Sequence, residues 1–157
     1  MNLPIENDKY QVFLLTCPAI IPVAFASHPW FVVNKQGSVA RWEVDMTPES
    51  AERNWGYIQY NSLPSPTLGI SVFPYTGIVR WPEATIRLHG YISGGEGSLA
   101  HRMIQFIETA PERYPRSNHY SLLGPNSNTF AQWVLDYFPE VHGEMQLPWN
   151  AYGKSCL

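Results

Sequence analysis

Gly124-Pro125-Asn126-Ser127-Asn128-Thr129-Phe130 runs without a break into Ala131-Gln132-Trp133-Val134-Leu135, a turn leading straight into a helix. Gly-Pro is loop punctuation, and Asn126 or Asn128 can cap the first turn by accepting a bond from a free backbone N–H. Beyond it Phe130, Trp133, Val134 and Tyr137 recur at the spacing of one buried helical face. Ser127 therefore stands at or just before a helix N-terminus, where exposed N–H groups and the helix dipole favour negative charge. Such a position suits a nucleophile or an oxyanion. Local chemistry alone favours a plain structural cap over that role, because Asn and Ser are strong capping residues.

Upstream of this turn the chain reads as short, mostly extended elements. Gln11 to Thr16 is a buried strand stopped by Pro18, and Ala19 to Phe25, interrupted by Pro22, is an edge strand or a packed loop. His28 to Val33 and Ser38 to Val44 flank Asn34-Lys35-Gln36-Gly37, the clearest hairpin signal in the sequence. Folding that hairpin about Gln36 brings His28 opposite residues near 43 or 44, with Glu43 within a register step. Thr47 to Asn61 is mixed, and Thr47-Pro48-Glu49 begins a helical pattern that no periodic face continues. Pro64, Pro66 and Pro74 make a wandering loop, broken by a short strand over 68–73. Ala84 to Ile92 alternates as a strand, and Ser93 to Gly97 is a turn that lacks the lysine and spacing of a phosphate loop. Ser98 caps a helix with Leu99, Met103, Phe106, Ile107 and Ala110 facing the core, ended by Pro111 and Pro115. Asn118 to Leu123 is a short extended piece before the organising turn.

The totals agree with one globular domain spanning 1–157. With 45% hydrophobic and 15% charged residues the chain can build a core, and 14 prolines predict irregular connections. The fold class expected is α+β, an antiparallel sheet packed by two main helices. A net charge of −3 with scattered Lys and Arg gives no basic stripe, so nucleic acid is not an expected partner. No apolar run approaches the roughly 18–20 residues of a membrane span. The N-terminus has no signal-peptide pattern, so the expected compartment is the cytoplasm, or the cell envelope if a leader precedes this sequence. Cys17 reads as a buried small hydrophobe and Cys156 as exposed and incidental. His28, His89, His101, His119 and His142 show no metal-ligand spacing, so neither a metal nor any other cofactor is expected.

Several stretches together carry a resemblance: His28-Pro29-Trp30-Phe31, Arg41-Trp42-Glu43-Val44, Tyr114-Pro115, the 124–130 turn, Phe138-Pro139-Glu140, and Leu147-Pro148 with Ala151-Tyr152-Gly153-Lys154. In these the chain resembles an uncharacterised bacterial domain-of-unknown-function family, which brings no activity with it. More distantly, the chain is similar to the circularly permuted papain-like enzymes, the permuted relatives of the NlpC-type peptidases and the lecithin retinol acyltransferase group. In those, a histidine lies early on one strand and a polar partner follows on the next. The nucleophile comes late, in Asn-Cys-x-x-Phe at a helix start. Here the order is His28, then Glu43 or Arg41, then Asn126-Ser127-Asn128-Thr129-Phe130, with Ser127 where those enzymes have cysteine.

That resemblance implies a permuted papain-like fold and an amide or ester hydrolase or acyltransferase acting on a peptide, ester or acyl substrate. Ser127 would be the nucleophile, His28 the base and Glu43 the group orienting it, with Arg41 competing for Glu43's place. Asn126 and Asn128 would cap the helix and support an oxyanion. From the residues themselves, Trp30 and Trp42 are candidates to line the groove, with the core as the alternative since aromatics this numerous are more often buried, and His119, a few residues before the turn, is a candidate for the same cleft. A serine hydroxyl, unlike a thiol, is not ionised by a helix N-terminus, so it needs the base within hydrogen-bond reach. The alternative is a catalytically inactive domain of the same fold that uses the cleft to bind a ligand or partner.

Overall fold

The computed structural model describes residues 1–50 and 52–156. Its elements, in chain order, are β1 (Tyr10–Pro18), β2 (Ser27–Lys35), β3 (Ser38–Val44), β4 (Ile58–Tyr60), β5 (Arg87–Gly94), α1 (Leu99–Glu108), α2 (Ala110–Arg113) and α3 (Ser127–Tyr137). The strands form one antiparallel sheet in the order β4-β3-β2-β1-β5. The α+β expectation therefore holds, with a short third helix added. No helix among the described residues is long and apolar enough to cross a membrane.

Alternation along the strands splits the core in two. Val12, Leu14, Phe31, Val33, Trp42 and Val44 face the helices, where Met103, Ile107, Phe130 and Val134 close the layer. Phe13, Leu15, Cys17, Trp30 and Val32 form the opposite face, with Ile70 and Ile86 from the long loop before β5 packed on it. β1 and β2 are buried on both faces, which is why they read as nearly continuous apolar runs.

The central hairpin fixes the geometry of everything that follows. Lys35 pairs with Ser38 and Phe31 with Trp42, around a two-residue turn in which Gln36 (φ 51) and Gly37 (φ 95) are both left-handed. The chain thus folds between Gln36 and Gly37 instead of about Gln36. Continued past Phe31, that register sets Asp45, one step beyond the expected partner, opposite His28, and leaves Glu43 as its diagonal neighbour.

Elsewhere the structure departs from the sequence expectations in identifiable ways. The 68–73 segment forms no strand, only a single antiparallel bridge from Ser71 to Arg80 with backbone bonds from Val72 to Val79 and from Trp81 to Ile70, a pairing too short for a ladder. Residues 118–123 form no strand: turns at Asn118 and at Leu122 and Leu123 flank an irregular 119–121. Pro111 does not end the helical run: after the break at Thr109 it occupies the first turn of α2, where its missing N–H costs nothing. Ser98 caps α1 as expected, accepting from the His101 N–H. On α3 the buried face comprises Phe130, Ala131, Val134 and Leu135, whereas Tyr137 is 55% exposed and stacks on Phe106 at the helix edge. Gly90 (φ +122) lies where β5 shifts register against β1, and a Cβ there would strike the Glu144 carbonyl of the C-terminal segment.

Candidate functional site

The N-terminus of α3 is held by a complete capping box. Asn126 Oδ1 accepts from the N–H groups of Asn128 (2.9 Å) and Thr129 (3.3 Å), while Thr129 Oγ1 accepts from the Asn126 N–H at 3.0 Å. Ser127 is the first helical residue. Its own N–H makes no hydrogen bond among the described residues, so it is a free backbone donor of the kind left at every helix start.

Three side chains then tie this turn to the rest of the molecule. Asn128 Nδ2 donates to the Ser27 carbonyl at 3.0 Å, locking α3 to the first residue of β2, and to the Tyr152 carbonyl at 2.9 Å. Asn126 Nδ2 donates to the carbonyls of Leu122 and Tyr152, and Thr129 Oγ1 to that of Gly153. The C-terminal segment is thereby wrapped onto the helix start. Gly153 (φ +85) is required at that contact, since a Cβ would meet the Asn126 amide at 2.7 Å. These bonds also correct the expectation of oxyanion support from the asparagines. Asn126 is the cap, but both hydrogens of each amide are already committed to carbonyls.

His28 enters from the other layer. Alternation along β2 puts it on the face of Trp30 and Val32, and its Nε2 lies 2.8 Å from Glu43 Oε2, with both residues buried. Glu43 is fully engaged: Arg41 donates from Nε and Nη2, both at 2.7 Å, and Ser62 Oγ donates at 3.0 Å. Burial alone would raise the Glu43 carboxyl, but the Arg41 charge and the His28 and Arg41 hydrogen bonds outweigh it and hold the group well below the usual carboxylate range. An ionised Glu43 only accepts, so Nε2 carries the proton, and in the neutral ring Nδ1 is the remaining acceptor. No protein partner for Nδ1 occurs among the described residues.

Arg41 is as buried as its partner. It donates to the Leu68 carbonyl and lies over the Trp30 ring at 4.1 Å. It therefore serves Glu43 and does not compete with it for His28.

Ser127 and His28 line one cavity of about 340 Å³, where the start of α3 meets the end of the sheet. Its walls are mostly apolar, from Ile20, Val23, Phe25, Ile70, Leu122 and Leu123, with Tyr120, Tyr152 and Asp45 among the remainder. Ser127 Oγ and the His28 ring make no hydrogen bond to one another. Among the described residues neither Ser127 Oγ nor His28 Nδ1 has a hydrogen-bond partner.

Some expected site residues fall elsewhere. Trp30 is wholly buried and donates from Nε1 to the Pro66 carbonyl, and Trp42 packs between Trp55 and Tyr60, so both are core residues and neither lines the cavity. His119 is exposed, and its neighbour Tyr120 lines the cavity in its place. Cys17 is buried on the far sheet face, and desolvation pushes its thiol up to about 12, which leaves it unreactive. The sequence reading missed Asp45. The signal was present in the two-residue turn, whose register adds one step and brings Asp45 level with His28.

Comparison with known proteins gives the family. The chain belongs to the family described as Protein of unknown function (DUF3750), which matches residues 10–156. No curated protein and no solved structure matches the chain.

Proposed function

We propose that Ser127 and His28 form the nucleophile and base of an acyl-transfer site, making the protein a hydrolase or acyltransferase acting on an amide or ester in a permuted papain-like arrangement. The observation that carries this reading is the shared cavity, with Ser127 at a helix start on one wall and a His28 oriented by an ionised Glu43 on the other. The Glu43 bond fixes the ring and its tautomer, the role of the acid in serine hydrolase triads. The free Ser127 N–H is aimed by the helix axis as an oxyanion donor.

In this reaction His28 Nδ1 takes the Ser127 proton as Oγ bonds to the substrate carbonyl carbon. The oxyanion that forms is stabilised by the Ser127 N–H and the helix dipole. The tetrahedral adduct collapses by breaking the bond to the leaving amine or alcohol, which receives the proton from the imidazolium. Water or a second acceptor then releases the acyl group from Ser127. Side-chain bonds in unoccupied catalytic sites are often long and tighten only with substrate, so the unmade Ser127–His28 bond is compatible with this sequence of steps.

One observation favours a second reading, a ligand-binding domain without turnover. Glu43 is already neutralised by a two-point pair with Arg41, an arrangement that also suits a purely structural anchor for the His28 ring. The two readings separate on reaction with a fluorophosphonate, followed by intact mass. The catalytic reading predicts one adduct on the wild type, mapped to Ser127 and absent from Ser127→Ala. An unmodified, properly folded wild type would leave the binding reading in its place.

A further inference from the structure

Asp45 is a carboxylate set in an apolar wall without a counter-ion. It lines the 340 Å³ cavity and also a second cavity of about 200 Å³; Ile20, Met46 and Ile70 line both as well. Among the described residues the one hydrogen bond to its carboxylate is from the Met46 N–H to Oδ1 at 2.7 Å. No ion pair to Asp45 forms among the described residues. The charged groups around it are otherwise spoken for. Arg41 is bound to Glu43 and stacked on Trp30, Glu43 is saturated by Arg41, His28 and Ser62, and Arg80 lines only the second cavity. No lysine or arginine occurs among the described residues lining the larger cavity. Asn128, which lines the same cavity, has a buried Oδ1 with no partner among the described residues.

A mostly apolar wall that carries one carboxylate and, among the described residues, no lysine or arginine matches a ligand that is apolar in its body and carries a positive head. We infer that the cavity takes an amine-bearing substrate, whose primary ammonium is received by Asp45 while its apolar portion fills the space between Ile20, Val23 and Leu122. This names the substrate class of the site proposed above and rests on that cavity being the substrate site. Desolvation raises the Asp45 carboxyl above its ordinary value, outweighing the opposing field of His28, and an ammonium would reverse that shift. A carboxylate ligand, by contrast, meets the like charge of Asp45 and no lysine or arginine in the lining described.

The experiment is calorimetric titration with three matched probes, n-hexylammonium, 1-hexanol and hexanoate, on the wild type, Asp45→Asn and Ser127→Ala. Asparagine retains an oxygen for the Met46 N–H, and Asp45→Ser serves if that variant does not fold. The expected result is that hexylammonium binds the wild type and Ser127→Ala at least about tenfold more tightly than either other probe, and that the preference disappears at Asp45→Asn. Equal binding of the three, a preference for hexanoate, no binding of any, or a preference surviving in Asp45→Asn would each overturn the inference. Because binding is read without turnover, an adduct on Ser127 without ammonium preference overturns this inference alone. Ammonium preference without an adduct removes only the catalytic reading.

Discussion

His28→Ala is expected to slow phosphonylation of Ser127 by about a hundredfold to ten-thousandfold, the range that a positioned general base supplies. Time courses by intact mass, on the wild type and the variant at equal probe concentration, give the rates directly. The fold should survive the change, because Glu43 keeps Arg41 and Ser62 as partners when the imidazole is gone. Near-UV circular dichroism checks this. His28→Gln is a stricter comparison: its amide can still donate to Glu43, yet it cannot accept a proton from Ser127. A purely structural histidine would tolerate glutamine with little change in rate, whereas a base would not.

The second large effect is on stability. Glu43→Gln leaves the Arg41 guanidinium buried against Trp30 without an opposite charge, and breaking a buried pair from one side costs about 3–5 kcal/mol. Urea unfolding at pH 7 should show a loss of that order. The pH dependence follows from the direction of the Glu43 shift. A carboxyl held lower in the folded chain than in the unfolded one contributes stability that is complete above the ordinary glutamate value, about 4.3. That contribution is lost as pH falls below it toward the folded-state value. The gap between wild type and Glu43→Gln should therefore narrow steadily under acid conditions below about pH 4. A gap that stays constant or widens there would mean that the pair is not what holds Glu43 ionised.

Much of this arrangement could be read from residue order. The capped start of α3, the α1 cap at Ser98 and the central hairpin all depend on contacts within a few residues, where sequence pattern is most informative. His28 and Glu43 were brought together by the hairpin alone. What escaped depended on tertiary context. For Trp30 and Trp42 both groove and core were open, because an aromatic on an alternating strand carries no label for which layer covers it, and the structure places both in the core. Asp45 escaped because side chains on neighbouring strands meet by register, and a turn of two residues instead of one shifts every partner. The commitment of the Asn126 and Asn128 amides to Tyr152 reflects a segment that returns from the far end of the chain, which no local pattern announces.

The inverted polarity of the site's wall and its support is physically coherent. Charge is concentrated and neutralised behind His28, in the Arg41–Glu43 pair, while the cavity in front is mostly apolar and has Asp45 as its carboxylate. Low polarity on that side strengthens the field of the helix start on any developing oxyanion. It also makes an unpaired Asp45 a costly group to keep, unless a cation completes it.

The most direct test of the Ser127–His28 pairing uses a thiol as a reporter. In a Cys156→Ser background, with Cys17 buried and inert, Ser127→Cys provides the one readily alkylated sulfur, and its iodoacetamide rate can be followed against pH by mass. A thiol at the start of α3 beside the His28 ring should titrate well below the ordinary cysteine value of about 8.5, and return toward it when His28→Ala is added. A profile at or above the ordinary value, unmoved by His28→Ala, would show that the two side chains do not work together and would contradict the catalytic reading at its root.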